Sequence, residues 1–143
     1  MMANAPISWK SKAKCSVDTS SAMAEYVSIY EASREAFSIR QFLNDIGFMQ
    51  SNPTVIFSDN NAAIAIGNNT RTEERSKHID IKYHYVRELV QEKHICLKYC
   101  CTTEMVADYL TKPVNSKKFL WCRSQLGLGL FPASVWGECY ALI

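Results

Sequence analysis

The chain has 143 residues, 48% of them apolar and 21% charged. That length suits one domain, and the composition is too apolar for intrinsic disorder, so a hydrophobic core is expected. Sixteen Lys and Arg against fourteen Asp and Glu leave a formal net charge of +2, which excludes nucleic-acid recognition by bulk charge and requires any basic surface to be local.

The first predicted element is a strand end at Ile7 to Lys14, where Ile7, Trp9, Ser11 and Ala13 alternate with Ser8, Lys10, Lys12 and Lys14. The polar stretch Ser16 to Ser21, with Asp18, suits a helix start. From Ala22 to Asp45 neither Pro nor Gly interrupts, and Gly47 supplies a stop, so one long helix is predicted. Glu25, Ile29, Ala32, Ala36 and Leu43 recur at helical spacing on one face, and Met23, Tyr26, Tyr30 and Phe37 form a second apolar stripe. Thr54 to Ser58 is rich in β-branched and aromatic residues and reads as a strand. Asp59-Asn60-Asn61 then caps a short helix ending near Gly67.

Residues 68–77 form a polar, charge-mixed loop, after which Ile79, Tyr83, Val86 and Val90 mark a helix from Lys77 to Glu92. Asp80 falls where an acid stabilises the amino end of that helix. Ile95 to Cys100 returns to strand character. Helices are expected at Glu104 to Leu110 and Ser116 to Leu126, separated by Lys112-Pro113. The order of strands and helices predicts an α/β fold with parallel pairing between the two later strands.

Six cysteines, Cys15, Cys96, Cys100, Cys101, Cys122 and Cys139, include no CxxC pair, and no apolar signal run opens the chain. They read as reduced thiols of an intracellular protein, cytoplasmic or nuclear. His94, Cys96, Cys100 and Cys101 lack the paired knuckles of structural zinc and read as small side chains on a strand. His78 and His84 stand six apart and do not form HExxH. The stretch from Leu126 to Ile143 carries one formal charge, Glu138, which raises a membrane tail anchor; Gly127, Gly129, Pro132 and Gly137 favour instead an apolar extension that is poorly specified or covered by a partner.

Three carboxylates occupy unusual settings. Glu25 lies on an apolar helix face, Asp59 ends a strand, and Asp108 sits in Ala107-Asp108-Tyr109-Leu110. Burying an ionised carboxylate costs several kcal/mol unless a cation or hydrogen bonds compensate, so such acids invite a metal-site reading. The plain alternatives stand beside it: Asp59 as a cap, Glu25 reaching solvent, Asp108 as a surface helix acid.

The stretches ISWKSK from Ile7, AEY around Glu25, SDNNAAI from Ser58, SKHIDIKYHYVRE from Ser76 and ADYLTKP from Ala107 together resemble the carboxyl-terminal ribonuclease H domain of copia-type LTR retrotransposon Pol polyproteins. They occur in that family's order, and the resemblance covers Ile7 to Gly127. It implies a partial ribonuclease H-like domain over 7–127, followed by an apolar carboxyl-terminal extension over 128–143. The implied fold is α/β, a mixed sheet flanked by helices that lacks the first two strands. The implied reaction is hydrolysis of the RNA strand of RNA:DNA hybrids during reverse transcription. Two divalent ions, Mg²⁺ or Mn²⁺, serve it, one activating water and the other stabilising the leaving oxygen.

Carried over by position, Glu25, Asp59 and Asp108 stand at three of the family's four metal-ligand positions. The fourth, an Asp on the first strand, has no counterpart before Ile7, and Asp18 falls in a turn rather than on a strand. The chain also has Ala22-Met23 where the family usually shows Thr-Glu. The resemblance therefore implies an enzyme-derived segment with impaired activity, or else a non-catalytic module, domesticated or decayed, that binds nucleic acid or a Pol partner. The implied partners are an RNA:DNA hybrid and the reverse transcriptase portion of Pol, without a membrane. Lys10, Lys12, Lys14, Asn60, Arg71, Arg75, Lys77 and His78 are the residues placed to meet that hybrid. The plain reading of the lysines and arginines, a solubilising edge and an exposed loop, carries equal weight. Losing the middle of the sheet would leave unpaired strands, from which poor folding or self-association is expected.

Overall fold

The computed structural model describes residues 6–11, 21–68 and 77–128. These fall in two compact units, Lys14–Met105 and a smaller one of Met1–Ala13 with Val106–Ile143.

In the larger unit, the uninterrupted run Ser21–Asp45 forms helix α1. Its buried line passes through Tyr26, Ile29, Ser33 and Leu43. Glu25 and Ala32 are exposed, which corrects the expected grouping of Glu25 with Ile29 and Leu43 on one apolar face. Each helical residue turns the direction by about 100°; the deepest line runs through Tyr26 and Ser33, and Glu25 stands one step off it. Ser33 is tolerated at full burial because its hydroxyl donates to the Ile29 carbonyl at 2.7 Å. Gly47 ends α1 at φ 85°, while the Phe48 amide donates to Leu43 O at 2.7 Å and the Gly47 amide to Asn44 O at 3.0 Å. Arg40 then fastens the following loop, donating to Gln50 O at 2.7 Å, Asn52 O at 2.8 Å and Thr54 Oγ1 at 3.1 Å.

Strand β1 (Thr54–Ser58) leads to α2 (Asn61–Asn68), then α3 (Lys77–Gln91), then β2 (Ile95–Tyr99). β1 and β2 pair in parallel, Thr54 opposite Ile95 and Ser58 opposite Tyr99. Parallel strands need a long crossover, which the helices between them supply. Tyr26, Ile29, Ile56, Ala63, Tyr83, Val86, Leu89 and Ile95 form the buried cluster. In it the Tyr26 and Tyr83 rings lie 4.5 Å apart between centroids. The turn into β2 places Lys93 at φ 58°, a left-handed position that favours glycine, and the His94 amide donates to Leu89 O at 2.9 Å. Along β1, Ile56 and Ser58 are buried and Val55 and Phe57 exposed. A parallel pair is usually covered on both faces; this one leaves Val55, Phe57 and Lys98 open on one of them.

A single 3-10 turn, Thr102–Glu104, follows β2. In the smaller unit come α4 (Asp108–Thr111) and α5 (Ser116–Gln125). The helix expected from Glu104 to Leu110 is thereby corrected: Glu104 closes the 3-10 turn and α4 begins only at Asp108. Lys112 is extended at φ −136°, ψ 148°, the conformation that a following Pro113 imposes. Asn115 caps α5, its Oδ1 accepting from the Lys118 amide at 2.9 Å. The strand expected over Ile7 to Lys14 is corrected over its described part, since residues 6–11 take up no strand and Ile7 and Trp9 are about half exposed. Alternation alone makes no strand without a neighbour to complete its ladder.

The described residues thus form an α/β arrangement of five helices and a small parallel sheet. Among them no helix is long and apolar enough to cross a membrane. Residues 129–143, on which the tail-anchor question falls, lie outside the described residues, as do Asp18, Lys12, Lys14, Arg71 and Arg75.

Candidate functional site

The backbone leaves β1 through Ser58-Asp59-Asn60. The Ser58 hydroxyl accepts from the Asn60 amide at 3.2 Å, and Asn60 Oδ1 accepts from the Ala63 amide at 3.1 Å. Asn60 is therefore the cap of α2, and the half-buried Asp59 carboxylate is released from that duty. Its Oδ2 accepts instead from the Thr102 hydroxyl at 3.1 Å. Thr102 follows the end of β2, so the parallel register carries both residues to the same end of the sheet. The carboxyl ends of parallel strands are where open α/β sheets bind ligands. Thr102 is a residue that sequence reasoning missed; its role depends on the strand register, which no local pattern encodes.

Glu25 stands exposed on the second turn of α1. In the smaller unit Asp108 opens α4 and is only 7% exposed. Its Oδ1 accepts from Lys112 Nζ and its Oδ2 from Lys118 Nζ, each at 2.9 Å. Burial by itself would raise this carboxyl, but the hydrogen bonds and charges of the two lysines outweigh it and hold Asp108 below the ordinary carboxylate range. The Asp108/Lys112 pair has the one-turn spacing that sequence can reveal, whereas Lys118 arrives from another helix. Asn60 is occupied as a cap, Lys10 is exposed, and Lys77 and His78 open α3.

Both Asp108 oxygens already hold ammonium groups. Within neither unit do three or more His, Cys, Asp or Glu among the described residues gather as a metal-holding group. What the larger unit does present is one carboxylate, with an ordered hydroxyl beside it, at the carboxyl end of a parallel pair.

The chain is 35% identical over 122 residues to the retrovirus-related Pol polyprotein from transposon TNT 1-94 of Nicotiana tabacum, a match over 85% of the chain and 9% of the polyprotein. It is 36% identical over 129 residues to the retrovirus-related Pol polyprotein from transposon RE1 of Arabidopsis thaliana, covering 90% of the chain and 9% of that relative. A similar polyprotein from transposon RE2 of the same plant matches at 36% over 132 residues, 92% of the chain and 9% of the relative. The chain therefore resembles one segment of a retrotransposon Pol polyprotein and spans under a tenth of the length of these relatives. The resemblance read from the motifs is supported at the level of the Pol polyprotein. No protein-family model matches the chain. No solved structure matches it either.

Proposed function

We propose that the chain is a segment of the ribonuclease H domain of a copia-type Pol polyprotein. Its ancestral reaction is cleavage of the RNA strand of RNA:DNA hybrids beside the reverse transcriptase portion of Pol, in the cytoplasm or nucleus, and that reaction is impaired in this chain. The observation that carries the reading is the position of Asp59. It lies in the Ser58-Asp59-Asn60 motif at the carboxyl end of β1, with its cap role taken by Asn60 and its carboxylate steadied by Thr102. Glu25 and Asp108 occupy the other two acidic motif positions, and Mg²⁺ or Mn²⁺ is the cofactor of the complete domain.

Impairment follows from the lysine clamp, in which Lys112 and Lys118 each donate to one oxygen of Asp108. The same clamp favours a second reading, a non-catalytic module that holds a hybrid or a Pol partner through Lys10, Lys12, Lys14, Arg75, Lys77 and His78.

A labelled RNA:DNA hybrid incubated with the chain and Mg²⁺ or Mn²⁺ separates these. The chain alone is expected to leave the hybrid intact. Fusing to it the stretch that precedes the matched segment in the tobacco polyprotein, with Lys112→Ala and Lys118→Ala to release Asp108, should restore cleavage. Asp59→Asn in that fusion should then lower the rate by at least about 100-fold, since even outer-shell partners of metal ligands are worth about 10- to 100-fold. A folded but inactive fusion would reject the ribonuclease reading in favour of the binding module. Cleavage by the unfused chain that Asp59→Asn abolishes would reject impairment.

A further inference from the structure

We infer that Thr102 is a positioning residue for Asp59: its hydroxyl fixes the rotamer of that carboxylate and so sets the direction in which the other oxygen, Oδ1, is presented at the sheet end. The catalytic consequence rests on the ribonuclease reading above; the orientation itself does not. The geometry begins in the backbone. The Cys100 amide donates to Ser58 O at 2.9 Å, which ties the chain leaving β2 to the last residue of β1. The Glu104 amide then donates to Cys101 O at 2.8 Å within the 3-10 turn. Thr102 lies between those anchor points, so its backbone is held on both sides. Beyond Asp59, the Asn60 amide donates to Ser58 Oγ at 3.2 Å, and Asn60 Oδ1 accepts from the Ala63 amide at 3.1 Å. Thr102 Oγ1 donates to Asp59 Oδ2 at 3.1 Å and joins the two held segments.

The exposure of the pair argues for orientation rather than stability. Thr102 is exposed and Asp59 half-buried. A hydroxyl and a carboxylate within reach of water lose little when their mutual hydrogen bond is broken, because water takes each partner's place. What the bond changes is direction. An aspartate that nothing holds samples several χ1 wells and turns broadly about χ2, and a hydrogen bond from a donor that cannot itself wander removes that freedom. Threonine is such a donor, since its branched Cβ restricts χ1. Serine keeps the hydroxyl on a freer side chain, whereas valine keeps the shape and has no donor. Capping does not compete for the carboxylate, because Asn60 performs it. The donor is delivered by the parallel register that sets Ser58 opposite Tyr99. A slip of one residue would carry it away by about 3.3 Å, too far for the bond.

The Hα–Hβ couplings of Asp59 in the full chain, read by nuclear magnetic resonance, test this. The parent is expected to show the couplings of a single χ1 rotamer. In Thr102→Val they should move to the averaged values of several rotamers, and in Thr102→Ser they should return toward the parent's, with the circular dichroism spectrum unchanged in both. Parental couplings retained in Thr102→Val would overturn the inference, because the local backbone would then be enough to hold Asp59. Averaged couplings in the parent would overturn it as well. In the fusion that carries Lys112→Ala and Lys118→Ala, Thr102→Val should lower kcat about 10- to 100-fold with KM within about 2-fold, and Thr102→Ser should recover most of the loss. A Thr102→Val fusion that keeps the parental kcat while Asp59→Asn does not would likewise overturn the inference. A fusion with no activity would reject the ribonuclease reading, and the couplings in the full chain would still decide the role of Thr102.

Discussion

Tyr26 shows how much one position can decide. It is essentially enclosed in the core, and its hydroxyl reaches the Tyr83 carbonyl at 3.5 Å. Burial pushes its phenol well above the ordinary value near 10, and the nearby Arg87 only partly offsets that rise. A phenol that titrates near 10 when unfolded but stays protonated in the fold does not weaken stability below that pH; above it, the unfolded state loses its proton first and stability falls. Tyr26→Phe removes a long hydrogen bond, so urea unfolding at pH 7 should change by less than about 1.5 kcal/mol. At pH 11 the variant should lose less stability than the parent; equal losses would mean that Tyr26 does not govern the alkaline limb. The three acids were legible as residue types in motifs, but their surroundings were not. Glu25 proved exposed because the buried line runs through its neighbour, and Asp59 proved free of capping because Asn60 does that work. Asp108 proved to be a two-lysine clamp because Lys118 comes from a separate helix.

At the scale of elements, α1, β1, α2, α3, β2 and α5 were readable from periodicity and stop signals, and their observed bounds differ from expectation by a residue or two. The misreadings have separate causes. Ile7 to Lys14 alternates convincingly, yet a strand is a property of a pair, and residues 6–11 form none. Glu104 to Leu110 lacks the length to sustain a helix without packing, so it breaks into a 3-10 turn and a short α4. How closely α2 approaches the sheet is also a pair property. A Cβ added at Gly67 would lie 2.5 Å from Leu97 Cδ1, and near Tyr26 and Val86. Gly67→Ala must therefore turn Leu97 aside, and a cost of about 1–3 kcal/mol is expected in urea unfolding. A neutral result would mean that Leu97 has room to rotate.

For the whole molecule, the buried apolar cluster belongs entirely to the unit Lys14–Met105. In the smaller unit, Asp108 and Cys122 are the buried residues among those described. A fragment comprising residues 14–105 should consequently retain its helical circular dichroism and unfold cooperatively in urea, whereas 106–143 should not. A non-cooperative 14–105 fragment would show that the core depends on the rest of the chain. The sequence by itself determined the α/β class, the order of elements from α1 to β2, the parallel pairing of β1 with β2, and the motifs whose kinship to plant-transposon Pol polyproteins the comparisons support. Those follow from local propensity, hydrophobic period and ordered motifs, all of which are written along the chain. Only the tertiary structure decided which face of α1 is buried, that Thr102 meets Asp59, and that two lysines hold Asp108. Each of these depends on residues brought together from distant positions, and such meetings are set by packing and register rather than by any local pattern.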